Sequence, residues 1–370
     1  MNRRNMLKVV TGGVISSTMP SCGLAKQSTS LSQLARSRGI RFGCAVSRKA
    51  LADRQYEELA LTHCDTLVGE NALKWQYLEP VRNQYVTDEA HWLTQFAQQH
   101  DRRMRGHCFV WNHHDRMPDW LVKIATLLRA NESQELTRHM WRRGAFIARE
   151  FPHIVSWDAM NEAVDPTTGE LRETHFKRLL GDRFLDLAFQ ILHTRLPQAR
   201  LVYNETMSWE MDGTHRNGVL RLLERRLSRG TPIHALGIQS HIGKTIARQR
   251  DEVAWRHFLE EVQAMGVDVL LTELDCSDRN ISASSPELRD AEVAAHTKGY
   301  LDLTLSFPNV REVLVWSLAD KHSYMNRKSY PKPRRRKDGQ LLRGHPFDEL
   351  LRPKPMLQAI KDAFEFAPQR

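Results

Sequence analysis

Residues 267–274 read Val267-Asp268-Val269-Leu270-Leu271-Thr272-Glu273-Leu274. A near-continuous apolar run of this length, rich in branched side chains, describes a strand buried on both faces, as in a parallel sheet covered by helices. Seven other runs read as strands, at 40–46, 66–68, 103–110, 154–160, 200–203, 235–239 and 312–318. Between them, residues 51–62, 134–150, 184–196, 218–228 and 255–265 carry apolar side chains at three-and-four spacing, the period of an amphipathic helix. Strand and helix in alternation imply right-handed βαβ units. Eight such strands favour a closed (β/α)8 barrel over an open doubly wound sheet. No Gly-x-Gly-x-x-Gly follows the first strand, so a dinucleotide fold lacks its phosphate loop. Residues 31–366 contain no linker, short repeat or low-complexity stretch and read as one catalytic domain.

The chain of 370 residues fits this size class, and its 41% hydrophobic and 26% charged residues exclude disordered, collagen-like and coiled-coil proteins. No run is long and apolar enough for a membrane span. Net charge is +10, of which Arg3, Arg4 and Lys8 contribute three. Much of the remaining excess crowds into residues 327–337, with Lys328, Lys332, Arg334, Arg335, Arg336 and Lys337. That cluster reads as a solvated loop rather than a nucleic-acid surface. Five cysteines without Cys-x-x-Cys spacing indicate neither a disulfide framework nor a zinc site, and read as buried thiols.

Residues 1–25 form a basic start, a weakly apolar middle and a small-residue end, as in an export signal. The pair Arg3-Arg4 before this segment resembles a twin-arginine signal, so export to the periplasm or the medium is expected.

In a parallel barrel, the side chains just past the C-terminal strand ends form the active-site rim. Here those positions carry Glu70-Asn71-Ala72-Leu73-Lys74-Trp75, Arg105-Gly106-His107, Trp111-Asn112-His113-His114, Asn161-Glu162, Asn204-Glu205, Gln239-Ser240-His241, Glu273-Leu274-Asp275, Trp316 and Asp320. Glu162 and Glu273 stand on strands that face each other across the barrel. Two carboxylates bracketing a pocket of Trp, Asn, Gln and His suit glycoside hydrolysis, in which one protonates the leaving oxygen and the other meets the anomeric carbon. A metal site from His107, His113 and His114 has the weaker case, since their spacing fits no helical ligand pair.

Taken in order with Phe42-Gly43-Cys44-Ala45, Pro118-Asp119-Trp120, Trp157-Asp158-Ala159-Met160 and Pro353-Lys354-Pro355, these segments resemble glycoside hydrolase family 10, the endo-β-1,4-xylanases, over residues 42–364. The resemblance implies a (β/α)8 barrel, retention of anomeric configuration, no metal or other cofactor, xylan and xylo-oligosaccharides as substrates, and a monomer. It implies Glu162 as general acid/base and Glu273 as nucleophile, with their carboxyl groups about 5–5.5 Å apart. Asn161 would hold the 2-hydroxyl of the sugar under attack, His241 would keep Glu273 ionised, and Gln239 would support the same sugar. Glu70, Asn71 and Lys74 would grip the next sugar toward the non-reducing end, and Trp120 and Trp316 would serve as platforms under pyranose rings. Either Asn112 or His114 occupies the family's histidine position after strand 3, and Tyr324 stands where a second tryptophan is common. If Arg334, Arg335 and Arg336 overhang the rim after strand 8, they should favour xylan bearing glucuronic acid.

Overall fold

The computed structural model describes residues 29–244, 251–283 and 285–370. The export-signal reading of residues 1–25 lies outside them. Eight parallel strands form the barrel: β1 (Arg41–Val46), β2 (Thr66–Gly69), β3 (Arg103–Gly106), β4 (Ser156–Asn161), β5 (Arg200–Glu205), β6 (Ala235–Ile238), β7 (Asp268–Cys276) and β8 (Val310–Val315). Each pairs with the next, and β8 pairs with β1 in the register Arg41↔Glu312 through Cys44↔Val315, which closes the sheet. Strand β7, the run that decided the reading, is buried along all but its first residue.

Two expected elements differ in detail. The strand expected over 103–110 stops at Gly106, and Val110–Trp111 forms a separate short pair with Met160 and Asn161 of β4. Gly106 lies against the indole of Trp157, where a Cβ would stand 2.3 Å from ring carbons, so the backbone of β3 can approach β4 only without a side chain there. The helix expected over 51–62 divides into Arg48–Leu51, which Ser47 caps by accepting from the amide of Ala50, and Arg54–His63, which starts afresh after Asp53 in extended conformation. The helix expected over 134–150 runs Gln134–Glu150.

The interior mixes apolar packing with a buried ion pair. Arg105, 1% exposed, donates to Asp158 at 2.5 Å, and the His107 ring holds the other oxygen of Asp158 at 2.8 Å. Removing one member would strand a buried charge at a cost of about 3–5 kcal/mol. Arg143, from the helix Gln134–Glu150, is fully buried and donates to the carbonyls of Leu73, Cys108 and Phe109 at 2.8–3.0 Å. One helical side chain thus fixes the loops after β2 and β3.

At the opposite end of the barrel, Arg370 donates to the carbonyls of Leu305, Phe307 and Val310, and its amide reaches Arg38 O. Cys44, Cys64, Cys108 and Cys276 are buried free thiols. Among the described residues, no helix is long and apolar enough to cross a membrane.

Candidate active site

Glu273 ends the apolar part of β7 and is 5% exposed. Its Oε1 accepts from Asn204 Nδ2 at 2.9 Å, and its Oε2 lies 3.4 Å from His241 Nε2. Burial would raise its pKa, but the hydrogen bond from His241 and the nearby charges of His107, His241 and Lys74 outweigh that and hold it below the usual range. His241 is itself held by Asp275, whose Oδ2 lies 2.8 Å from Nδ1. Burial opposes its charged form, yet the two carboxylates on either side raise its pKa to about 9, so the ring is a cation between two anions. Tyr324 donates to the same Asp275 oxygen at 3.2 Å, completing a row from the rim to Glu273.

Glu162 follows the last residue of β4 and is half-buried. Its φ of 55° places it in the left-handed region, which costs a non-glycine residue about 1–2 kcal/mol. The turn is held by its amide donating to Asn204 O and by Arg172 Nε donating to its carbonyl. Its carboxylate accepts from Gln239 Nε2 at 2.9 Å. Asn161, fully buried, accepts from Asn204 at 2.9 Å and from Gln239 at 3.4 Å, while its Nδ2 has no acceptor among the described residues. A buried amide donor left open in this way is suited to a ligand oxygen.

Three amides therefore tie the two carboxylates into one network: Asn204 between Asn161 and Glu273, and Gln239 between Asn161 and Glu162. Asn204 was legible only as a strand-end polar residue, yet it also accepts from Thr272 at 2.7 Å and orients the whole set.

Beside this network, Lys74 is buried, donates to Asn71 Oδ1 at 3.0 Å and lies over the rings of Trp111 and Trp316 at 4.9 and 5.9 Å. Burial lowers its pKa. His107 meets Trp316 edge-on at 5.3 Å. Glu70 is held by Arg327 from the loop after β8, through two N–H···O contacts of 2.5 and 2.6 Å.

Two expectations need correction. Trp120 does not join this set: its indole N–H donates to Glu79 O at 2.8 Å, and its ring packs edge-on against Trp75 and His139. The helix that begins at Asp119 turns it into that packing. The strand-3 candidates differ in setting rather than role: buried Asn112 bonds Thr174 and Ala163 O and its backbone amide donates to Asn161 O, while exposed His114 lies against His175. The basic loop is neither an overhang of three arginines nor a loose solvated segment. Arg335 donates to the carbonyls of Arg327, Lys328 and Tyr330, and Arg336 to those of Asp278 and Ile281 after β7, so the first is consumed in folding the loop and the second in anchoring it.

An open pocket of about 490 Å³ is lined by His113, His114, Asp165, Arg172 and Lys177 among others, and Arg172 is the residue that donates to Glu162 O. The three histidines weighed as metal ligands are separated in their contacts: His107 bonds Asp158, His113 accepts from the amide of Asp115, and His114 meets His175.

A closed (β/α)8 barrel with two carboxylates gathered at its strand-end rim defines the class of barrel glycosidases. The family model described as "Glycosyl hydrolase family 10" matches residues 30–363, and the chain belongs to that family. It is 28% identical over 337 residues to endo-1,4-beta-xylanase A of Caldicellulosiruptor saccharolyticus, covering 87% of this chain and 92% of that protein. The fold matches native xylanase 10B from Thermotoga maritima at a TM-score of 0.79 and 26% identity, over 91% of this chain and 98% of the other. Xylanase 10B from Thermotoga petrophila RKU-1, in complex with xylobiose, matches at 0.80 and 25% identity, over 92% and 98%.

Proposed function

We propose that this protein is a retaining endo-1,4-β-xylanase in which Glu273 is the nucleophile and Glu162 the acid/base. The observation that carries the assignment of roles is the contrast in charge environment: Glu273 is held ionised by His241 and Asn204, whereas Glu162 meets one neutral amide. In the first step a Glu273 oxygen bonds to the anomeric carbon while Glu162 gives its proton to the departing glycosidic oxygen. In the second, Glu162 takes a proton from water, whose oxygen bonds to the anomeric carbon as the bond to Glu273 breaks. The open Nδ2 of Asn161 supplies a donor to the 2-hydroxyl, and this contact strengthens as the ring flattens. Glu70, Asn71 and Lys74 hold the next sugar toward the non-reducing end, with Trp316 and Tyr324 on the same side. The names of the relatives and the xylobiose held by a structural neighbour support xylan as the substrate.

The test is release of reducing ends from xylan measured beside cellulose and mannan, with the first anomer followed by proton NMR. Preference for xylan with the β-anomer released first is expected. Faster attack on another glycan, or the α-anomer first, overturns the reading. The same proposal includes a monomer exported under the signal in residues 1–25. Replacing Arg3 and Arg4 by Lys should retain the enzyme in the cytoplasm, and unchanged export of that variant would point to a general secretory signal.

A further inference from the structure

We propose that Arg327 fits the non-reducing side of the cleft to xylan carrying a uronic-acid branch, its guanidinium recognising the carboxylate of that branch. The proposal rests on the xylanase reading and deepens it.

The loop after β8 sorts its cations into two kinds. Arg335 points back into the loop and Arg336 toward the segment after β7, and both are spent on backbone carbonyls. Arg327 reaches the other way, across to Glu70 beyond β2, beside Asn71 and Lys74. The loop fixes its position: its carbonyl accepts from the amide of Tyr330 at 3.0 Å, and the neighbouring Asn326 donates to Asp320 O and Leu342 O.

This pairing changes what the rim offers a substrate. An unpaired Glu70 would repel an acidic branch, whereas the ion pair cancels its charge. One N–H from each terminal nitrogen faces Glu70, which leaves three of the five guanidinium donors without an acceptor among the described residues. The Nε edge is thus open to a second carboxylate, and the side chain is 41% exposed. Arg guanidinium groups take carboxylates in this two-pronged geometry.

The surrounding charges favour the same ligand. Tyr330 meets Tyr324 edge-on at 5.6 Å, so the two rings wall the rim beside Arg327. The acids nearby are already engaged: Asp275 by His241 and Tyr324, and Asp53 by Lys321 and His322. A carboxylate arriving at Arg327 therefore finds both of these acids already paired.

The experiment compares a linear xylo-oligosaccharide with the same oligosaccharide carrying a glucuronic acid on its non-reducing half, and with the methyl ester of that acid. The readout is the ratio of kcat/KM for branched over linear substrate. Arg327→Gln should lower this ratio about tenfold at low salt, and Arg327→Lys should retain part of it. The double variant Glu70→Gln/Arg327→Gln should also lack the preference, which separates loss of the guanidinium from repulsion by an unpaired Glu70. Half-molar salt or the methyl ester should flatten the wild-type ratio, because an exposed charge pair is screened. An Arg327→Gln ratio equal to wild type, or an undiminished preference for the ester, overturns the proposal. Calorimetric binding of the three oligosaccharides to Glu162→Gln, with and without Arg327→Gln, decides the same question without turnover. If linear xylo-oligosaccharides are not cleaved by the wild type, the xylanase reading falls, and the binding ratio still judges Arg327.

Discussion

The ends of β4 and β7 present the same functional group in opposite surroundings. Glu273 is almost fully buried and receives Asn204 on one oxygen and His241 on the other, with Asp275 and Tyr324 behind the imidazole. Glu162 is half-buried on a left-handed turn, and among the described residues its carboxylate accepts a hydrogen bond only from Gln239. A carboxylate that must stay ionised and hold one position benefits from fixed positive partners. One that must gain and lose a proton in each cycle is better served by a neutral neighbour and access to water. The environments, more than the residue type, divide the labour.

The most damaging way to probe this contrast is Glu273→Gln, expected to lower kcat on xylan by about 10⁴-fold or more, because the proposed mechanism gives the covalent bond to this carboxylate. Near-normal turnover would abolish the assignment. Glu162→Gln should cost about 10²–10⁴-fold on xylan. That loss should shrink for the bond-breaking step on an aryl xyloside whose phenolate leaves unprotonated, while the Glu273→Gln loss should not. Equal losses on both substrates would erase the distinction between the two sites.

Asn204→Ala removes the amide common to both halves and is expected to lower kcat by about 10–100-fold, the worth of a hydrogen bond to a charged group. His241→Asn sharpens the comparison through pH. The imidazolium helps keep the Glu273 pKa low, so its loss raises that pKa and moves the acid limb of kcat/KM to higher pH. An unmoved acid limb would disconnect His241 from Glu273. Folding stability carries the companion sign: the folded pKa of His241 is raised from 6.5 to about 9, so its contribution is fully present below pH 6.5 and lost as pH rises through about 9. The Tm advantage of wild type over His241→Asn should narrow across that window. The smallest effect is expected from Arg336→Ala, which takes the guanidinium from Ile281 O and leaves Asp278 O only the amide of Ile281, lowers stability by about 1–2 kcal/mol and leaves the acid limb where it is.

The barrel was legible because β7 and its neighbours are apolar on both faces, and a strand of that kind has few architectures open to it. The rim was legible for the same reason: polar residues that follow such a strand must emerge at one end. Helix packing was not written there. Trp120 follows a Pro-Asp helix start, and only the fold reveals that its N–H is satisfied by Glu79 O, away from the two carboxylates. The basic loop misled through composition, since charge counts cannot tell Arg335 and Arg336, which bond to carbonyls, from Arg327, which reaches Glu70. Arg143 gave no local signal, because its three acceptors come from loops about 34 to 70 residues away.

Arg370 reaches carbonyls just before and at the start of β8, on the end of the barrel remote from Glu162 and Glu273. A tether attached there would leave from the closed floor of the molecule. Anchored to a bead or fused to a carrier through that point, the enzyme would present its groove outward, and a long insoluble polymer could lie across it without meeting the support.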